Sequence, residues 1–413
     1  MPEKRQKIDI PLPREVQLAL DELSKHGYRA FVVGGAVRDS LLGKAAHDFD
    51  IASPSSPGQT ISCFPGFDIS RAGIKHGTVR VIIHHYPVEI TTFRTEGNYR
   101  DHRHPDSVSF TSSAEEDSRR RDFTINGLYY RDGEVYDFHG GLEDLSSRIV
   151  RAIGDPIERF QEDALRILRG LRFSCQLGFA IEERTRDAMA ECAHLLGEIS
   201  EERIEAEMIR LASYPSFYNL IRENSAVFLS AIPMLPPAFI SRLPQEACDD
   251  PYANIAGIFE AGRISPDLAY EMLMRLKFSR SSAQAIQSLL DIDRSFTLKD
   301  VESPKRFRLL LLESSPLNPE VTIRFLCLRN TIEGQDISGY RQLREQAEDV
   351  EFTSSIPSSL SDLKVTGHDL QRIGYKPGPI FHEVLKELLL QVNQQNIPNE
   401  RKAQLEWLKN RAR

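Results

Sequence analysis

The stretch Phe31–Ser53, FVVGGAVRDSLLGKAAHDFDIAS, constrains the fold of this chain more than any other. The β-branched Val32 and Val33 lead into Gly34-Gly35, which predicts a strand entering a turn that a ligand can approach closely, because no Cβ stands in the way. Arg38 and a Leu41-Leu42-Gly43 stop outline a short helix, and a second strand then carries Asp48-Phe49-Asp50-Ile51. Residues two apart on a strand share a face, so Asp48 and Asp50 are expected to project together. Two neighbouring carboxylates repel, and one would hold a proton unless a cation lay nearby. Hard oxygen ligands suit Mg2+ and a glycine turn suits a triphosphate, so Asp48 and Asp50 are expected to hold Mg2+ as cofactor. The plain alternative is a pair of solvated aspartates at a strand end; the Gly-Gly turn and Arg38-Asp39 upstream favour the metal site.

Around this stretch the pattern is regular. Residues 14–27 read as an amphipathic helix with Val16, Leu18, Leu20 and Leu23 inward and Gly27 as its stop. Between 67 and 95, Gly77–Ile83 and Val88–Arg94 read as two strands joined by a turn at His84-His85-Tyr86-Pro87. Glu89, between Val88 and Ile90, falls on the face opposite those two. It is either a solvent-facing strand residue or, beside an Asp-x-Asp, the third carboxylate that two-metal phosphoryl transfer commonly uses. Arg119-Arg120-Arg121 abut an apolar segment, which suits nearby anions or a solvated basic turn. Asp122 and Asn126, four apart, would share one side of a helix. Residues 154–179 contain a helix with an apolar stripe at Leu165, Leu168, Leu171 and Phe173. Glu162, Asp163, Arg166, Arg169 and Arg172 decorate it, in the plain reading as ion pairs of about 0.2–0.5 kcal/mol each.

A chain of 413 residues with net charge −8 carries no broad cationic coat, so any RNA binding must rest on local clusters such as Arg401, Lys402, Lys409, Arg411 and Arg413 at the end. The five cysteines form no Cys-x-x-Cys pair, which argues against a disulfide framework or a zinc site and fits a reducing compartment. The N-terminal MPEKRQKIDIPLP lacks a signal-peptide core and no run reaches membrane-spanning length, so the expectation is a cytoplasmic protein without membrane association. From about 215 onward the chain reads as helical, punctuated by prolines, and no protein partner is evident.

Gly34-Gly35-x-Val37-Arg38-Asp39-x-Leu41-Leu42-Gly43 followed by Asp48-x-Asp50 resembles the catalytic signature of the class II tRNA nucleotidyltransferase and poly(A) polymerase family, which holds the CCA-adding enzymes. Glu89-x-Thr91-Thr92-x-Arg94 matches the context in which that family carries a third carboxylate, so the resemblance assigns Glu89 to catalysis with Asp48 and Asp50. Tyr99, Asp101, Arg103, His104, Pro105, Val108 and Phe110 resemble its flexible loop, whose presence argues against an enzyme that adds only the two cytidines. Arg120-Arg121-Asp122 through Asn126 matches its ribose and phosphate motif; Gly127 stands where alanine is usual. Residues 137–151 resemble its hinge, and residues 200–212, opening on Ser200, resemble a motif that braces the nucleobase-reading helix.

Glu162-Asp163-x-x-Arg166 is similar to the nucleobase-reading motif itself. An aspartate accepts and an arginine donates, a pairing that cytosine and adenine both satisfy and that guanine and uracil, with a carbonyl and a ring N–H, do not. Glu162 is expected to position Arg166 rather than touch the base. The resemblance thus implies nucleotide binding by Gly34, Gly35, Arg38, Arg121, Asp122, Asn126, Asp163, Arg166 and Arg169. It implies an α/β nucleotidyltransferase head at 1–150, then a helical neck at 151–214, body at 215–350 and tRNA-binding tail at 351–413. The tail carries Lys364–Leu370, Gly374–Pro379 and Asn399, with His382 where a second glycine is usual. The expected activity is addition of CCA to the 3′ end of tRNA from CTP and ATP. An A-adding enzyme for tRNAs ending in CC shares every motif, while a poly(A) polymerase is expected to have a longer, basic C-terminal region.

Overall fold

The structure is a computed structural model and describes residues 4–46, 48–97, 107–198, 201–292, 319–335, 357, 360–393 and 396–411. It divides into two compact units, residues 1–207 with 226–231, and residues 208–225 with 232–413.

The first unit is built on an eight-stranded mixed sheet. Its strands are β1 (Lys4–Lys7), β2 (Phe31–Val33), β3 (Asp50–Ser53), β4 (Asp68–Ser70), β5 (Thr78–Ile83) and β6 (Tyr86–Thr92). Beyond the small hairpin of β7 (Arg94–Glu96) and β8 (Val108–Phe110), β9 (Leu128–Arg131) and β10 (Glu134–Asp137) complete it. The order is β1-β10-β9-β2-β3-β6-β5-β4, antiparallel throughout except for β3 beside β6. β2 lies near the middle and is buried on both faces. Phe31 and Val33 join Phe93, Tyr129 and Tyr136 on one side, while alternation sends Val32 to the other. The first helix, α1 (Arg14–Lys25), buries Val16, Ala19, Leu20 and Leu23, with Leu18 only half-buried; α2 (Gly35–Leu41), α3 (Pro57–Cys63) and α4 (Ala114–Arg119) follow it along the chain.

The hairpin of β5 and β6 is tighter than its sequence suggests. His84 and His85 alone form the turn, with φ of 47° and 68°, the left-handed pair that a two-residue hairpin demands. Tyr86 and Pro87 already belong to β6. Pro87 is tolerated there because β3 pairs with β6 only from Ile90 onward, so no strand needs its missing N–H.

After the sheet, the helix expected to carry Glu162, Asp163 and Arg166 together is divided in two. Asp155 caps α6 (Pro156–Glu162), and a separate α7 covers Leu165–Leu177. Asp163 between them is extended, and its carboxylate accepts the Leu165 N–H at 3.2 Å, a local bond with which aspartate competes against a continuous helix. The stripe of Leu165, Leu168, Leu171 and Phe173 is buried as expected. The segment resembling a hinge is firmly bonded: Asp137 accepts the N–H groups of His139, Gly140, Gly141 and Leu142 and so opens α5 (Gly141–Ser147).

The second unit is helical in its described residues. Helix Pro251–Gly262 is buried along its whole length from Ala253 and lies against helices Arg280–Leu290 and Pro319–Ile332. A separate cluster of Leu370, Val384, Leu388 and Leu408 binds the C-terminal helices Gly367–Ile373, Pro379–Asn393 and Arg401–Arg411 together. Two of the basic C-terminal residues are engaged there, Arg401 with Asp369 and Arg411 with Glu387. No helix among the described residues is long and apolar enough to cross a membrane.

Candidate active site

A cleft of about 380 Å3 in the first unit is lined by Gly34, Gly35, Arg38, Asp50, Arg121, Asp122, Asn126, Asp163, Arg166, Arg169, Phe173 and Arg203. Ten of these are residues singled out by sequence, drawn from segments more than a hundred positions apart.

One wall is the glycine turn. Gly34 takes φ 74° and ψ −138°, a conformation open essentially to glycine alone, and Gly35 starts helix α2 (Gly35–Leu41). Two guanidiniums face the turn: Arg121 Nη1 lies 3.7 Å from where a Gly34 Cβ would stand, and Arg38 Nη2 lies 3.6 Å from that of Gly35. Each is aimed by its remaining nitrogens. Arg38, only 4% exposed, donates through Nε to Asp39 (2.8 Å) and through Nη1 to Asn126 (2.7 Å). Arg121 donates through Nε to Tyr129 Oη (3.0 Å), and that hydroxyl donates in turn to the fully buried Asp117. Asp117 also holds Arg120, and those cations with the Tyr129 bond outweigh burial to keep its carboxyl below the usual range.

Asp122 and Asn126 meet, but not on a shared helix. Phe123 is extended and bridges Ala152, with Asp122 and Thr124 bonded to the same segment, and only a short turn at Thr124–Asn126 follows. Asn126 Nδ2 nevertheless donates to Asp122 Oδ1 at 3.0 Å, and Arg169 grips Asp122 Oδ2 at 2.8 and 2.7 Å. Burial would raise the Asp122 pKa; the Arg169 charge and the bonds from Asn126, Arg169 and the Phe123 N–H override it and hold it at about 2.

The far wall carries the pair expected to read a base. Glu162 accepts from Arg166 Nη1 at 2.7 Å, while Arg166 Nη2 donates to the Arg120 carbonyl at 2.8 Å, so this guanidinium is clamped on both sides. Asp163 is held by Arg203 rather than by Arg166, with 2.8 Å from Nη2 to Oδ2. Arg203, expected only to brace the helix, and Phe173, read as core, both line the cleft. For Phe173 a signal exists, since it follows Arg169 by four residues and so shares its side of α7. For Arg203 there is none, because its partner lies 40 residues away.

Strand β3 begins at Asp50, so Asp48 precedes the strand and alternation along it cannot be what pairs them. The two carboxylates are nonetheless both exposed on either side of the buried Phe49. Although Asp50 keeps solvent access, it lines the cleft, and the partial loss of water there, then the charge of Glu89 and more weakly that of Asp48, push it up to about 6 against the opposing pull of Arg121. That accumulation of hard anionic oxygens fits a divalent cation. Glu89 lies outside the cleft lining, half-buried and ion-paired to Arg80 across the hairpin, with Nε to Oε1 at 3.0 Å. Among the described residues no group of three or more His, Cys, Asp or Glu side chains is assembled for a metal. Tyr99, Asp101, Arg103, His104 and Pro105 of the expected loop, and Ser200, lie outside the described residues; Val108 and Phe110 are exposed on β8.

A glycine turn flanked by cations, with carboxylates and a hydrogen-bonding wall opposite, has the chemistry that a nucleoside triphosphate would require, and comparison with known proteins shows the family. Residues 30–151 match the Poly A polymerase head domain, residues 178–223 the probable RNA and SrmB-binding site of polymerase A, and residues 258–408 a putative tRNA nucleotidyltransferase domain 2. The CCA-adding enzyme of Streptococcus gordonii is 36% identical over 418 residues, covering 96% of this chain and 98% of that protein. That of Leuconostoc mesenteroides is 34% identical over 388 residues, covering 91% and 92%. Among solved structures, the Bacillus stearothermophilus CCA-adding enzyme in complex with CTP is 28% identical with a TM-score of 0.67, covering 96% of this chain and 97% of the other. The Thermotoga maritima CCA-adding enzyme complexed with tRNA shares the fold at 19% identity and a TM-score of 0.60, covering 99% of each chain. The chain belongs to the CCA-adding enzyme family of tRNA nucleotidyltransferases.

Proposed function

We propose that this protein adds CCA to the 3′ end of tRNA, taking CTP and ATP and releasing pyrophosphate, with no nucleic-acid template. The observation that carries this reading is the single cleft joining the Gly34-Gly35 turn, Asp50 and the Asp163–Arg166 wall. Gly34 and Gly35 offer a close backbone approach to the triphosphate, and Arg38 and Arg121 supply positive charge beside it. Asp122 and Asn126, locked to each other and to Arg169, present acceptor and donor groups to the ribose. Arg166 donates and Asp163 accepts at the base edge, the protein serving as template.

Asp48 and Asp50 are the residues that would hold Mg2+, with Glu89 as a third ligand once released from Arg80. Bound there, Mg2+ supplies charge neutralisation for the triphosphate and a more acidic 3′-hydroxyl. Strict orientation of that hydroxyl against the α-phosphate falls to the protein, because in-line transfer depends on position more than on covalent chemistry. In this reading residues 1–150 and 151–214 form the catalytic and base-reading parts. The tail at 351–413, following the body at 215–350, holds the tRNA, and the protein works in the cytoplasm.

The test is incorporation of labelled CTP and ATP into three tRNAs ending at the discriminator base, at C and at CC. Addition of C, C and A to the shortest, then a stop, is expected. A single A added only to the CC-ended tRNA would make this an A-adding enzyme instead, and an Asp50→Ala variant with full incorporation would sink the metal assignment.

A further inference from the structure

Phe173 is surrounded by arginine. The guanidinium carbons of Arg172, Arg38 and Arg169 lie 4.3, 4.9 and 5.4 Å from its ring centroid. Arg169 and Arg172 share helix α7 with it, whereas Arg38 comes from α2, at the glycine turn. Two of the three, Arg38 and Arg169, line the cleft, and the third anchors α7 by its 2.6 Å bond to Glu207.

Three like charges around one side chain repel, and each is ion-paired to a different carboxylate: Asp39 for Arg38, Asp122 for Arg169, Glu207 for Arg172. What all three share is the ring, whose π-electron face is negative and attracts a guanidinium within about 6 Å. The ring cannot easily swing away. Phe123 meets it edge-on at 5.9 Å and 81°, and Phe123 is itself wedged at Gly170, where a Cβ would come within 2.7 Å of its Cζ. The ring is 5% exposed, so water competes little for its face.

We infer that Phe173 is a positioning residue for nucleotide binding: its aromatic face registers Arg38, on the phosphate side, and Arg169, on the ribose side, to the helix that also carries Arg166. An aliphatic side chain of similar size would fill the volume but would leave the guanidiniums without an attractive surface between them. They would then spread apart under their mutual repulsion.

This inference rests on the nucleotide-binding reading of the cleft, and the experiment separates the two. Full-length protein is prepared with phenylalanine, mono-, di- and trifluorophenylalanine at position 173, since ring fluorination drains the negative face with little change of shape. Phe173→Met and Phe173→Tyr are prepared alongside. Dissociation constants for CTP and ATP and thermal midpoints are measured for each. The expected result is affinity falling stepwise with fluorine count to about 10-fold at trifluoro, with nearly constant midpoints. Phe173→Met is expected to lose affinity to a similar degree and Phe173→Tyr to keep it within about 2-fold. A flat fluorination series with tight binding by the unmodified protein would overturn the inference, whether or not the methionine variant folds. Failure of the unmodified protein to bind either nucleotide would overturn the underlying reading, and the inference with it.

Discussion

Alanine at Gly34 and at Gly35 should give opposite phenotypes, although the two residues adjoin. At Gly34 the obstacle is the backbone. Its φ of 74° with ψ of −138° is strained for any L side chain, while the space a Cβ would fill is free, with Arg121 Nη1 the nearest atom at 3.7 Å. The cost is therefore conformational, about 1–3 kcal/mol. In a unit of about 200 residues, 2 kcal/mol corresponds to a fall of ~4–8 °C in thermal midpoint. Gly35 has no such conformation, and its Cβ would make an ordinary contact, 3.6 Å from Arg38 Nη2. It opens α2, where alanine is a slightly better helix former, so Gly35→Ala should keep its midpoint within about 1 kcal/mol of wild type. Yet its methyl would stand on the surface where the phosphate approaches Arg38. Loss of one charge-assisted hydrogen bond, ~1.5–3 kcal/mol, would raise KM for CTP and ATP by about 10-fold or more. Thermal unfolding and steady-state kinetics on both variants decide it. A Gly34→Ala protein as stable as wild type, or a Gly35→Ala protein with unchanged KM, would refute the division of roles.

Three further outcomes are expected. Asp163→Ala should relax nucleotide choice while sparing tRNA binding, and Arg203→Met, which frees Asp163 without removing it, should do so less; unchanged selectivity among the four nucleotides in Asp163→Ala would refute base reading by this wall. Because the Asp50 pKa is raised to about 6, the carboxylate takes up its proton as pH falls through that value, and Mg2+ affinity should weaken about tenfold per pH unit below it. The same raised value means that, without metal, its contribution favours the folded state at low pH and is lost as pH rises through 6, so wild type should gain on Asp50→Asn between pH 7 and 5 by thermal midpoint. Glu207→Ala leaves the buried Arg172 without its carboxylate and should cost about 3–5 kcal/mol in urea unfolding; a loss under about 1 kcal/mol would show that Gln176, which also accepts from Arg172 at 2.9 Å, suffices alone.

Much of the site was legible because its motifs are local. The two glycines follow from turn chemistry, and the side of β6 that Glu89 takes follows from alternation, each within a few residues. Glu162 and Arg166 meet as their spacing suggests, although the helix between them breaks. That break at Asp163 was not legible, since an aspartate three before an arginine reads equally as a helical ion pair. Beside its local bond to the Leu165 N–H, Asp163 is held by Arg203, 40 residues on, which takes the carboxylate that helical pairing would have used. The expected helix bearing Asp122 and Asn126 failed for a like reason: pairing of this segment with residues 151–153 outweighs the local preference.

What the sequence by itself determined is the inventory of chemistry: a glycine turn, paired carboxylates, a cationic motif and an Asp–Arg pair, each carried by neighbours along the chain. The tertiary structure alone decided which groups hold which. Asp122 chooses Arg169, Glu89 chooses Arg80, Asp163 chooses Arg203, and three arginines gather on Phe173. The physical reason is that a guanidinium long enough to reach several carboxylates is indifferent to sequence distance. Its partner is set by which of them the packed sheet and helices bring within about 3 Å while excluding the water that would otherwise compete.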